Sequence, residues 1–562
     1  MRKTIFLSGS AIALAAALTV SAPAQAQSVC EIAGAAGSEN SGGASAANAD
    51  DFACGPNAVA DSTGGLAATA VGPDAAATGS GANAFGTTAL ATGDSALAVG
   101  TNSSAAGDDA TAIGGAAEAT AFEATAVGAG AEASGESSVA VGIQATSSGF
   151  QSIAVGNRAQ ATNDDSAAFG DKAAATGFHS TAIGGESVAS GAGAQAFGWK
   201  ANATGAQAVA VGNQTQATGT NASSLGNLAR ATNMNTTALG NSSIASGAQA
   251  TAVGVGATAS GDASTALGNL AAASGLEATA LGEGSTASGE SSTSVGVLAN
   301  ASGLQSVAVG NRAQATGEDA AAFGDKALSS GFHSTAIGGE SVASGAGAQA
   351  FGWKANATGA QALAVGNQTQ ATGAASTAIG NLANASGANS TALGNGALAS
   401  GINSTAIGQG ASTAGFANSV AIGTGTVATA ANQVNVGGRT IGGVAAGVLA
   451  TDAVNMAQLN AAIGDITVLE NGVATLFDLR SSDRRDMKQG VASAMALAQA
   501  PMPSSAGGIS YAVNGATFRG EYAVGGSLMY RLNTEKAMAV SIGASFAGNK
   551  NNGARIGVAG EF

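Results

Sequence analysis

The sequence predicts a mostly β chain: a long parallel β-solenoid of 14-residue coils, a short helical segment, and four transmembrane β-strands that need other copies to close. Three observations predict it. Glycine recurs every 14 residues from Gly72 to Gly408 without a break in register. Apolar residues take a 3-4 spacing from Leu459 onward, and beyond Pro503 they alternate with a period of two. The composition agrees: of 562 residues 87 are Gly, 9% are charged and 4% are aromatic, which fits neither a disordered polyampholyte nor an ordinary enzyme.

The first residues supply an address. Arg2 and Lys3 precede an apolar run from Ala11 to Val20 and the small-x-small pattern Ala24-Gln25-Ala26, so residues 1–26 read as a removed signal peptide. No later run approaches the roughly 20 apolar residues of a transmembrane helix, so membrane attachment must be β or peripheral. Loss of Arg2 and Lys3 takes the formal charge from −15 to −17, which argues against a duplex nucleic-acid partner. Residues 27–65 match no repeat well and are expected to form a distal cap or tip. They hold both cysteines, Cys30 and Cys54, which an exported chain could join; free thiols and a crosslink between chains are the alternatives. Two cysteines without a clustered His make no zinc site, and no cofactor is expected.

Residues 66–431 read as the solenoid head. The residue before each repeat glycine is large and apolar, as at Val71, Phe85, Ile183, Leu239 and Phe351, and is expected to form a core column. Half a period later comes Ala-(Ser/Thr)-Gly, as at Ala189-Ser190-Gly191, with Asn standing in at Asn163 and Asn233. That exchange suggests turns at positive φ. Two short strands and two turns per 14 residues describe one coil, stacked at about 4.8 Å. The remaining Ala-rich face is expected to pack against another copy.

A larger duplication overlies the small one: Gly177 to Ala208 recurs unchanged as Gly331 to Ala362, an offset of eleven coils. The only histidines, His179 and His333, are equivalent copies at turns, with no cluster around them that would serve catalysis or a metal. Trp199-Lys200 and Trp353-Lys354 are copies as well, directly after repeat glycines. They are the candidate adhesive surface, the alternative being turn residues that cover an Ala-rich edge.

Register is lost after Gly408, where the next apolar-Gly pair, Ile422-Gly423, comes one residue late. Residues 432–458 form a connecting segment. Residues 459–503 place Leu459, Ala462, Ile466, Leu469, Val473 and Leu476 at coiled-coil spacing, with a charged layer around Arg480 and Asp483. Within 504–562, segments such as Tyr522 to Tyr530, Met538 to Phe546 and Ile556 to Phe562 alternate as outer-membrane strands do. Tyr522, Tyr530, Phe546 and Phe562 fall on the lipid-compatible face. Four strands cannot close a barrel, since single-chain barrels start at about eight. Three copies would give 12 strands and a lumen lined by small residues that can hold the helices.

These residues resemble the trimeric autotransporter adhesins with YadA-like heads. The Ala-Ile-Gly and Ala-Ser-Gly alternation looks like that family's left-handed parallel β-roll. Arg439-Thr440-Ile441, Val444-Ala445-Ala446-Gly447 and Asp452-Ala453-Val454-Asn455 through Gln458-Leu459 are similar to its neck, with Gly443 where the family more often has Asn. The four strands ending in Phe562 look like its anchor. The resemblance implies a homotrimer with a β-roll head, neck, short coiled-coil stalk and 12-stranded barrel in the outer membrane of a Gram-negative bacterium. It also implies self-export through that barrel, with the terminal Phe as a signal to the barrel-assembly machinery. Its partner would be host matrix, a surface or sister cells, engaged by avidity.

Rival classes fare worse. A solenoid enzyme needs a cluster of acids, bases or a catalytic His outside the copied repeats. A passive or ice-binding solenoid does not explain the membrane strands. A porin does not explain a head of this length.

Overall fold

The computed structural model describes residues 30–32, 43–62 and 65–561. The signal peptide read over 1–26 and the terminal Phe562 lie outside the described residues. The chain divides after Gly438 into two compact units.

In the first unit each coil contributes a three-residue and a two-residue strand. Thr181–Ile183 pairs in parallel with Gln195–Phe197, and Val188–Ala189 with Asn202–Ala203. Between residues 69 and 407 each strand thus stacks on its equivalent 14 residues later, giving two parallel ladders joined by turns. The slip after Gly408 is one extra residue in one coil, since Ile407 pairs with Ile422.

Strand alternation sends the middle residue of each triplet inward and its neighbours outward. The inward residues are small: Ser180, Ala182, Ala189, Ala194 and Ala196 are fully buried. The expected core column of large apolar residues is therefore corrected. Phe85, Ile183, Leu239 and Leu267 point outward and stay between 37% and 44% exposed. Two strands facing each other in so short a coil leave room for methyl and hydroxymethyl groups, and a larger inward side chain would overpack the space. The alanines are thus interior and not available to another chain, and the outward face carries the large residues instead.

The second turn also differs from expectation. Gly184 does adopt φ +130, but Gly177, of the Ala-Thr-Gly turn, does not. A Cβ built on its backbone would run into the carbonyl of Gly191. Left-handed φ comes two residues later, at His179 (+54). Asn163 and Asn233 accordingly sit outside the left-handed region, and their side-chain oxygens instead accept the N–H of Asp164 and Met234 at 2.9 and 2.8 Å.

The ladders start before residue 66. Phe52–Cys54 pairs with Thr69–Val71, and Val59–Ala60 with Ala76–Ala77, across a coil three residues longer than the others. Cys30–Ile32 lies antiparallel on Phe52–Cys54, with Cys30 opposite Cys54, and covers what would be an open sheet edge. Cys54 is disulfide-bonded.

Asp51 anchors this first coil. Fully buried, it accepts the N–H groups of Ala68, Ser62 and Asn48 at 2.8, 3.1 and 2.9 Å and the Asn48 amide at 3.1 Å. Burial pushes its pKa up, but these donors outweigh it and hold the carboxyl below its ordinary 3.8. The carboxylate's stabilisation is therefore complete above that value and lost as pH falls through the lowered pKa. Asp51→Asn should cost the N-terminal coils about 2–3 kcal/mol near neutral pH and much less in acid, read by hydrogen exchange of residues 52–77.

The second unit begins with a connecting segment tied to the helix Met456–Ala496. Asn455 and Gln458 form a reciprocal capping box. Gln458 also holds Gly447 through two 2.9 Å hydrogen bonds, while Asn455 reaches the Val444 carbonyl. Gly443 has φ +74, a conformation open to Gly or Asn. Along the helix Leu459, Ile466, Leu469, Val473 and Leu476 are exposed, a stripe without a partner in one chain.

Four antiparallel strands follow, Ile509–Phe518, Glu521–Arg531, Met538–Phe546 and Gly553–Gly560, each paired with the next. One face is small and holds the helix end: Ser493 and Ser545 share a 2.6 Å hydrogen bond, and Gln489 donates to Glu521 at 2.9 Å. A Cβ at Gly525 would strike the Ala496 carbonyl. Gly525→Leu should therefore expel the helix end and sharply lower the amount of assembled anchor, seen as loss of the protein from outer-membrane fractions.

Candidate functional site

The exposed features fall on three surfaces. The first is the outward apolar column, one large residue per coil from Val71 to Ile422. At about 4.8 Å per coil it runs for roughly 120 Å. A continuous stripe of this length exceeds what monomeric proteins leave open.

The second is the turn that follows each repeat glycine. Trp199 is 43% exposed, with its indole edge over Gly185 of the preceding coil. Lys200 places its Nζ 4.3 Å from the Trp199 ring centroid and 3.6 Å from Glu186. The duplicate is the same: Trp353 over Gly339, with Lys354 4.3 Å from the ring and 3.5 Å from Glu340. Spacing alone brings Trp and Lys together. What it hides is their seating, because Gly185 and Glu186 lie one full coil back and become neighbours only when the period is read as a stacking distance.

His179 and His333 occupy the opposite turn. Each stacks on the preceding Phe at 3.8 Å and meets an aspartate one coil away, Asp165 or Asp319, at 2.8 Å. Among the described residues no group of three His, Cys, Asp or Glu side chains could hold a metal.

The third surface is the outer face of the C-terminal sheet. Tyr522, Tyr530 and Phe546 are exposed there with Tyr511, Leu528, Ile542 and Ile556, while Ser527, Ser541 and Ser545 are buried on the other face. Tyr522 and Tyr530 stand near opposite ends of one strand, as interfacial aromatics do. No helix among the described residues is long and apolar enough to cross a membrane.

Comparison with known proteins matches two segments of the chain, the head and the stretch that leads into and includes the first part of the helix. The family model for the YadA head domain repeat (2 copies) matches in successive copies between residues 91 and 415, more than half of the chain. The model for the coiled stalk of trimeric autotransporter adhesin matches residues 440–478. Among solved structures the chain is similar to the collagen-binding domain of Yersinia adhesin YadA, at 25% identity over 34% of this chain and 86% of that one, with a TM-score of 0.17. No curated protein matches. With a head of these repeats followed by this stalk, the chain belongs to the YadA-like trimeric autotransporter adhesins.

Proposed function

We propose that three copies of this chain form a surface adhesin held in the outer membrane by its own C-terminal sheet. The observation that carries this reading is the pairing of two unmet surfaces. The apolar column of the head needs other chains, and so does a four-stranded sheet with an apolar outer face and a small-residue inner face. Three sheets supply 12 strands, and the serine and glycine inner faces leave a lumen for the helices. Membership of the family further implies export of the head through that lumen, insertion by the barrel-assembly machinery and use of Phe562 as its signal. The ligand belongs to host matrix, an inert surface or another cell, met by many weak sites at once. Chemistry on a substrate has no place in the reading, because the copied repeats supply no convergent acid, base or nucleophile.

The experiment compares cells displaying the full chain with cells displaying a chain that lacks residues 66–431. Attachment and clumping should require the head, while both chains reach the outer membrane. Equal attachment by the two would contradict an adhesive head.

A further inference from the structure

Between residues 66 and 431 the sequence has only seven Lys or Arg residues, and six of them share one position. Arg158, Lys172 and Lys200, then Arg312, Lys326 and Lys354, all stand two residues after a repeat glycine, each with φ between 53 and 56. They form two windows of four coils along one turn edge, and each window ends on a tryptophan. At the two outermost positions of the opposite turn the head has twelve carboxylates and no Lys or Arg. An anion meeting this acidic head finds cations only at these windows and at Arg230.

We propose that the two windows are one bivalent binding site for a linear polyanionic polysaccharide laid along this edge. The proposal rests on the reading of the head as a displayed adhesive surface and names the ligand class for it. Within a window the cations lie one and then two coils apart, about 4.8 and 9.6 Å, a row that suits charges repeating along a chain. Asp171 and Glu186 alternate with them, but Lys172 to Asp171 (3.9 Å) and Lys200 to Glu186 (3.6 Å) are half-exposed pairs, weak enough for a sulfate or carboxylate to displace. Arg158 spends only its Nε on Gln144, at 2.9 Å. Trp199 adds a flat, partly exposed indole where a sugar ring can stack its C–H face while its anionic group meets Lys200. The windows repeat after 154 residues, so their centres are about 53 Å apart. A chain long enough to span them gains effective concentration at the second window.

The test uses the full-length protein on cells, with heparin as the polyanionic polysaccharide, neutral dextran and polyglutamate as controls. Heparin should bind in a salt-sensitive way, with dextran and polyglutamate far weaker. Trp199→Ala with Lys200→Gln should weaken binding of long heparin about 100-fold by removing one of two linked sites. Adding Trp353→Ala and Lys354→Gln should abolish it. Fragments shorter than the window spacing should bind the native protein no better than long heparin binds the single-window variant. Each variant should keep the native trimer band on unheated gels. Equal heparin binding by all variants would overturn the proposal, as would polyglutamate binding equal to heparin, which would point to an acidic protein such as the opposite edge of a second head. A weakened trimer band would also overturn it, placing the tryptophans between chains. Failure of the native protein to bind heparin while cells displaying it still attach and clump would overturn only this ligand class and leave the adhesin standing.

Discussion

Gly394→Val should break the head at one coil, with a loss of about 3 kcal/mol or more from strain and overlap together. Gly394 has φ +135, a region closed to β-branched residues, and a Cβ there would sit 2.6 Å from the Gly408 carbonyl. The next coil cannot move away without giving up its own ladder hydrogen bonds. Because each coil touches only its neighbours, the damage stays local and divides the head into two stacks. Limited proteolysis should cut between residues 394 and 408 in this variant and leave the native head whole. The control lies two residues away. Gly396 has φ +63 with nothing within 4 Å of a Cβ, and Leu382 holds the same position in the preceding coil at φ +58. Gly396→Asn should change stability by no more than about 0.5 kcal/mol. Equal effects at the two glycines would contradict the close-approach account.

A second large effect is expected on the apolar column. Leu225, Leu239, Leu267 and Leu281 are 39–48% exposed in one chain, and each is worth about 1–2 kcal/mol when a partner chain covers it. Replacing all four with Asp puts three carboxylates in each of four layers of a trimer, where burial without partners is costly. The trimer should open along these coils and its melting temperature fall by more than about 10 °C. The single-chain coil should survive, because these side chains point away from the alanine interior. Ala238→Asp, one residue before Leu239 but fully interior, should instead destroy the coil itself. Limited proteolysis separates the two, since the second variant should be cut at the coil around residue 238 while the first keeps that coil whole.

That contrast shows what was legible in the sequence. The period of 14, the paired turns, the insertion after Gly408, the helix and the four alternating strands can all be read directly, because each is a spacing and spacing survives folding. The direction of a column cannot be read that way. Val, Ile and Phe before each glycine suggest a core by hydrophobicity alone, yet the coil is too narrow to hold them, and Ala182 rather than Ile183 is buried. A similar error attached positive φ to Gly177 because Asn replaces its equivalent at Asn163. The glycine there lies against a neighbouring carbonyl, a contact 14 residues away that local turn chemistry does not reveal. Of the functional surfaces, Trp199, Lys200, Tyr522 and Tyr530 stood out as rare residues in a monotonous text. Glu186 and Gly185, which seat the tryptophan and lysine, did not. Asp51 was missed because its partners span an irregular coil between Asn48 and Ala68.

The central claim is that three chains share one anchor and one head. It is tested most directly by electrophoresis of outer membranes from cells expressing the chain, unheated and fully denatured, beside a chain lacking residues 505–562. A heat-resistant band at three times the mature mass, absent after the deletion, is the predicted result. A monomer in the unheated sample, or a product found free in the periplasm or medium with the C-terminal strands intact, would contradict it.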